Sequence, residues 1–183
     1  MSKAALKATP LVLVRQLLRD KGREAEEAVV GNLSAEERRL FESFVATDWL
    51  PVPFGSKIYD LGSRVLYAGD PSPLRRMGRE VSRANIRGVY RFIMRGLSES
   101  FLLQQTARLW RTYHATGDAH TQRIAQNHVD LIVNDYPELT TPVREVIVGY
   151  LADLVASAGA KDVRVTVRTD GPVSIWSIHW RGR

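Results

Sequence analysis

The chain has 183 residues, 26 lysines and arginines against 20 aspartates and glutamates, and a formal net charge of +6 at pH 7. Its length suits one domain with one buried core, and 44% hydrophobic with 25% charged residues is an ordinary globular balance. The absence of cysteine excludes disulfides, thiol catalysis and cysteine-ligated metal centres, and no apolar run reaches the ~18 residues of a helical membrane span.

Lys3 and Lys7 precede the apolar run Leu11 to Val14, which Arg15 ends too early for a secretion leader. Pro10 marks a helix start, and Leu11, Val14, Leu17 and Leu18 follow at helical spacing up to Gly22. The acidic stretch Glu24 to Glu27 leads to a break at Gly31-Asn32. Ser34 with Glu37 spells a capping box, opening a helix with Leu40, Phe41, Phe44 and Val45 on its apolar face. Pro51 and Pro53 are expected to form an extended link, with the next helix running from about Ser56 to Tyr67.

After the turn Gly69-Asp70-Pro71, a long basic helix is expected from Pro73, bent at Gly88 and ended by Gly96. Ser98 then caps a helix carrying Phe101, Leu102, Leu109 and Trp110. Beyond Gly117-Asp118 the period changes. Thr121–Ala125 and His128–Asn134 read as a hairpin around Gln126-Asn127. A helix from Pro142 to about Ala158 carries an apolar stripe from Val143 to Leu154. Val163, Val165 and Val167 alternate with polar residues as a half-buried strand, and Asp170-Gly171 turns the chain into a last strand, Val173 to Trp180.

The predicted fold is therefore α+β. A helical N-terminal half, about 10–115, packs on a mainly antiparallel four-stranded sheet, about 119–181, in the order strand-strand-helix-strand-strand. One domain over 1–183 is expected, without a linker or repeat.

The last ~75 residues carry a recognisable pattern: LWRTYHATGD, a hairpin ending in LIVNDYPEL, the helix VIVGYLADLVASAGAKDVRV, and a closing strand ending in IHW. It resembles small bacterial α+β sensor domains of the vinyl-4-reductase and haem-NO-binding type, and a related domain family of myxobacteria. The resemblance implies a helix-plus-sheet fold enclosing a ligand cavity, and a sensory or regulatory role. It transfers no site residue. The cysteines of vinyl-4-reductase domains and the haem motif Tyr-x-Ser-x-Arg are both missing, so no haem, metal or other cofactor is expected.

The charge surplus is local. Between Leu74 and Arg111 stand nine arginines against Glu80 and Glu99, a surplus of seven, while the rest of the chain is close to neutral. Arg79, Arg83, Arg87, Arg91 and Arg95 recur every four residues, which on a helix drifts only ~40° per step. Such a ladder suits an anionic partner, because the guanidinium fork binds phosphate or carboxylate bidentately. Its plainer reading is a solvated helix face neutralised by nearby acids.

No nucleophile elbow, phosphate loop or metal-ligand spacing is present, so no catalytic residue is assigned and no enzyme is expected. His114, His120, His128 and His179 read as structural or surface positions. Tyr90, Trp110, Tyr150 and Trp176 read either as plain core or as the lining of an apolar pocket. Trp176 and Trp180 share one strand face, to be buried against helices or against a second subunit in a homodimer.

Two functions follow. One is a cytoplasmic regulatory domain that binds a small ligand or a protein partner between helices and sheet. The other is a module binding a nucleotide, nucleic acid or acidic protein through the ladder. A cavity beneath Trp110 and Trp176 favours the first. An exposed positive face over residues 75–95 without acidic neighbours favours the second.

Overall fold

The computed structural model of the chain describes residues 4–85 and 98–182. The strand β1 (Ala5–Lys7) pairs antiparallel with β2 (Trp49–Pro51), a short ribbon joining the chain's start to the end of its first helical layer. Between them lie α1 (Thr9–Lys21), α2 (Arg23–Val30) and α3 (Ala35–Ser43). Helix α1 buries Leu11, Val14 and Leu18, the stripe its spacing predicts. Helix α3 opens on the expected capping box. The Glu37 amide donates to Ser34 Oγ (3.2 Å) and the Ser34 amide donates to Glu37 Oε2 (2.8 Å). Removing that hydroxyl with Ser34→Ala should cost about 1 kcal/mol, read as a lower midpoint in urea unfolding. The other end of α3 is held by Arg15. Its guanidinium donates to the carbonyls of Phe41 (2.6 Å) and Phe44 (3.0 Å) and lies 4.3 Å from the Phe44 ring centre.

Glu24 to Glu27 lie in α2, where Ala25 and Val29 are one turn apart and both buried. One local expectation is corrected here. Helix α4 (Val52–Leu66) starts directly after β2, with Pro53 inside its first turn rather than in an extended link. Proline is tolerated there, since first-turn amides need no intrahelical acceptor. On α3, Phe41 and Phe44 are buried while Val45 is exposed beyond the helix end.

Helix α5 (Pro73–Asn85) carries the start of the arginine ladder. The expected bend at Gly88 and end at Gly96 lie outside the described residues. Ser98 caps α6 (Glu99–Arg108), its hydroxyl accepting from the Phe101 amide at 3.2 Å. The single turn α7 (Trp110–Tyr113) follows.

The sheet half comprises β3 (Asp118–Ala125), β4 (His128–Asn134), α8 (Thr141–Ser157), β5 (Lys161–Asp170) and β6 (Val173–Arg181). Sheet order is β3-β4-β6-β5, all antiparallel, with both hairpins and the intervening helix where the sequence puts them. Gly171 at φ 55° provides the left-handed turn between β5 and β6 that a side chain would oppose.

Register explains the inner face. Leu131, Trp176 and Val167 face one another across β4, β6 and β5, as do Val129, Ile178 and Val165 in the next row. Val165 is buried, and Val163 and Val167 pack half-buried against the core. Helix α8 covers this face, and the Trp176 indole donates to the Arg144 carbonyl at 3.2 Å. The Trp176 face is thus buried against a helix of its own chain. No helix among the described residues is long and apolar enough to cross a membrane.

Candidate functional site

A half-open cavity of about 350 Å³ lies where helices and sheet meet. Leu6 and Lys7 of β1, Tyr59 of α4, and Val81 and Asn85 of α5 contribute to it. So do Leu102, Gln105 and Thr106 of α6, Leu131 of β4, and Val143, Val146, Ile147 and Tyr150 of α8. Its walls are mostly aliphatic and aromatic. Most lining aliphatic side chains, such as Val81, Leu102 and Val146, are buried faces of their elements, which is why one cavity touches so many of them.

Trp110, Tyr113 and His114 close one side. The Trp110 indole donates to the Thr116 carbonyl at 3.0 Å. The His114 ring stacks on it, with centroids 3.9 Å apart and planes 10° apart. The Tyr136 ring meets His114 edge-on at 5.8 Å, and Trp176 lies behind Trp110 at 6.2 Å. The backbone on either side of this stack is pinned to β1. His114 bridges to Leu6, and the Ala115 amide donates to the Ala5 carbonyl at 2.9 Å.

His114 is half-buried, with its Nδ1 side covered by protein, and burial pushes its pKa down to about 3, so the imidazole is neutral at physiological pH. Its Nδ1 is sealed from solvent and has no hydrogen-bond partner. No other described residue donates to or accepts from the ring. His114 is one of the residues that line the cavity. Burial also raises the pKa values of Tyr59 and Tyr150, so both phenols stay protonated.

Of the proposed pocket residues, Trp110 and Tyr150 line the cavity. Trp176 backs Trp110 without reaching it, and Tyr90 lies outside the described residues. No motif or ligand spacing sets His114 apart from the other histidines. The one available signal was its position four residues after Trp110, which stacks the rings across one turn. The other histidines are elsewhere. His128 and His179 stack at 3.7 Å across β4 and β6, on the sheet face away from α8, with Asp130 Oδ1 3.0 Å from His128 Nε2. His120 is exposed on β3. Among the described residues no three histidine or acidic side chains are placed to hold a metal ion.

The ladder is placed in part. Arg83 is held by Asp153 Oδ1 (3.0 Å) and Glu80 Oε1 (3.0 Å), while Arg75 pairs with Glu145 (2.5 Å) and Arg76 with Glu80 (3.5 Å). Arg79 is exposed and makes no ion pair among the described residues. Arg87, Arg91 and Arg95 lie outside them. The described part of this face therefore does have acidic neighbours. The Asp153 side chain is only 11% exposed and its Oδ2 has no partner, so Arg83 is its main compensation. Arg83→Glu should thus destabilise the domain by about 2 kcal/mol, more than a surface charge reversal. A thermal melt beside Arg79→Glu, expected within about 0.5 kcal/mol of the parent, tests this.

No family model matches the chain, and no curated protein matches it. Solved structures do. An Fe(II) unliganded H-NOX protein from K. algicida superimposes with a TM-score of 0.69 at 9% identity, over 97% of this chain and 98% of that one. The fold is that of the H-NOX domains. An S. oneidensis H-NOX protein in the Fe(II)NO state gives 0.65 at 9% identity, over 97% of this chain and 100% of that one. An oxygen complex of an H-NOX domain related to soluble guanylate cyclases gives 0.62 at 11%, over 97% and 96%. The fold is shared across the whole length while nine residues in ten differ.

The H-NOX structures named include Fe(II) and Fe(II)NO states, and a haem makes specific demands on its cavity. A histidine that ligates metal ordinarily donates its second ring N–H to a carboxylate, carbonyl or water. His114 Nδ1 has no such partner. Two propionates call for cations, and among the described residues the lining holds only Lys7. Its ammonium is engaged outside, by the Thr47 carbonyl (2.6 Å) and the Trp49 ring (4.8 Å). These residues do not fit a haem.

Proposed function

We propose that the chain is a cytoplasmic, non-enzymatic sensory domain, acting as one unit. It binds a small ligand other than haem in this cavity and signals the bound state to a partner protein. The observation that carries the reading is a largely apolar cavity of about 350 Å³ into which a neutral, otherwise unpartnered histidine ring opens. Its size is that of a small-molecule site, and a few polar groups on apolar walls are its usual chemistry. The fold supports a sensory role, since the neighbours include oxygen and nitric oxide complexes. The finer resemblance to vinyl-4-reductase and myxobacterial domains belongs to the same reading.

The geometry also suggests how occupancy is transmitted. Tyr150, Val81 and Leu6 belong to α8, α5 and β1, so a ligand touching all three shifts the packing of both halves together. The alternative, an anion-binding module built on Arg79, Arg83, Arg87, Arg91 and Arg95, has less support, because Arg83 is already paired with Glu80 and Asp153.

Native mass spectrometry and an absorption spectrum of protein from its own host test the reading. A retained small molecule that is missing from Leu154→Trp, which fills the cavity, is the expected result. A Soret band lost on changing His114 would overturn the haem-free site, and equal retention by Leu154→Trp would overturn the cavity.

A further inference from the structure

The chemistry of the cavity wall restricts its occupant, given that the cavity is a ligand site. Among the described residues no arginine, aspartate or glutamate lines it, and Lys7 directs its ammonium to Thr47 and Trp49. A charged ligand group against these residues would lose its hydration without gaining a counter-ion from them, which is costly. An uncharged body against Leu102, Val146 and Leu151 meets no such cost.

His114 then sets the polar requirement. A neutral imidazole has one N–H donor and one bare acceptor nitrogen. Nδ1 is sealed and unpartnered, so whichever form it takes is unsatisfied. A buried orphan N–H is the rarer and costlier of the two, as the scarcity of unpaired buried donors in proteins indicates. The bare nitrogen therefore belongs at Nδ1 and the proton at Nε2, the unsealed ring nitrogen of a residue that lines the cavity. Stacking on Trp110 at 3.9 Å fixes the ring plane, and with it the direction of that donor.

We infer that the cavity takes an uncharged, largely apolar molecule carrying a hydrogen-bond acceptor oxygen, such as a ketone, ester or ether, which accepts from Nε2–H of His114. The aromatic stack makes His114 the polar reader and Trp110 its rigid support. Gln105 also lines the cavity and offers a second polar contact.

Three isosteric probes test this: 2-acetylnaphthalene, its carboxylate analogue 2-naphthoate, and the hydrocarbon 2-ethylnaphthalene. Affinities are measured by titration calorimetry on the full chain and on His114→Phe, which keeps a flat ring on Trp110. The ketone should bind the parent about tenfold more tightly than either analogue, the worth of one buried neutral hydrogen bond. In His114→Phe the ketone and the hydrocarbon should bind alike.

If 2-naphthoate binds best, or the ketone preference survives in His114→Phe, the ligand class is wrong while the cavity still stands as a site. If no probe binds up to millimolar concentration, the cavity reading fails and this inference with it. A second measurement needs no variant. Nitrogen-15 shifts of the histidines in the parent at pH 7 should show His114 as the Nε2–H tautomer, and an Nδ1–H tautomer or imidazolium overturns the assignment.

Discussion

Gly78→Ala and Gly149→Ala should each lower the melting temperature by at least about 10 °C, the largest single-residue effects expected in this chain. The two glycines sit where α5 crosses α8. A Cβ on Gly78 would overlap the Val146 carbonyl oxygen and approach the Tyr150 amide, and a Cβ on Gly149 would overlap the Arg75 carbonyl. All of these are backbone atoms. A side-chain neighbour can rotate away, and overpacking then costs roughly 1–3 kcal/mol. A backbone neighbour moves only with its helix, so the cost should exceed about 4 kcal/mol, a large share of a typical domain's ~5–15 kcal/mol.

Gly62→Ala is the internal control. Its nearest obstacle is the Val14 side chain at 2.9 Å, so a smaller loss is expected. Scanning calorimetry of the three variants decides, and alanine variants at 78 and 149 that melt like Gly62→Ala would remove the claim. The same crossing shapes the cavity. It brings Val81 and Asn85 of α5 against Val146 and Tyr150 of α8, so relaxing it should also weaken ligand retention.

What the sequence revealed and what it hid divide along the range of the interactions. The C-terminal half was legible because its elements are long and locally consistent. Val163, Val165 and Val167 alternate, Trp176, Ile178 and Trp180 share parity, and Pro142 and Gly159 bracket one helix. The ribbon of β1 and β2 was not. Three residues carry no readable period, and Ala5 pairs with Pro51, far along the chain. The inward face of helix α2 was not legible, because its two buried residues, Ala25 and Val29, make too short a stripe.

The site shows the same limit. Trp110 and Tyr150 could be named as lining candidates from their type, yet nothing local separates them from Trp176, whose indole instead reaches the Arg144 carbonyl. His114 was invisible as a site residue. Its significance lies in what its ring lacks, a partner for Nδ1, and that becomes apparent only when Leu6, Trp110 and Tyr136 have closed around it. The ladder illustrates the reverse. Its spacing was plain, but the pairing of Arg83 with Asp153 depends on α8, seventy residues on.

Stability should fall steadily as the pH is lowered from about 6.5 towards 3, and His114 should carry most of the upper part of that fall. Burial depresses its folded-state pKa from the ordinary 6.5 to about 3. In the unfolded chain the imidazole takes up a proton below pH 6.5, while in the folded chain it stays neutral. The unfolded state therefore binds more protons throughout this window, and stability is complete above 6.5 and lost as the pH drops. The slope is about 1.4 kcal/mol per pH unit, reaching about 4 kcal/mol near pH 3. Glu37 adds to the loss only in the acid part of the range. Its carboxylate, held below its ordinary 4.5 by the Lys57 ammonium and the Ser34 amide, releases those partners as it protonates. The interval between pH 6.5 and 4.5 thus lies above the range of Glu37, and the His114→Phe variant reads the part of the loss that belongs to His114. Urea unfolding at pH 7, 6 and 5 should show the parent losing roughly 2 kcal/mol between the first and last. His114→Phe should lack that part of the loss, whatever its stability at pH 7. Parallel curves for the two proteins over this interval would show that the ring is not held neutral, and would take with it the donor that the ligand is inferred to meet.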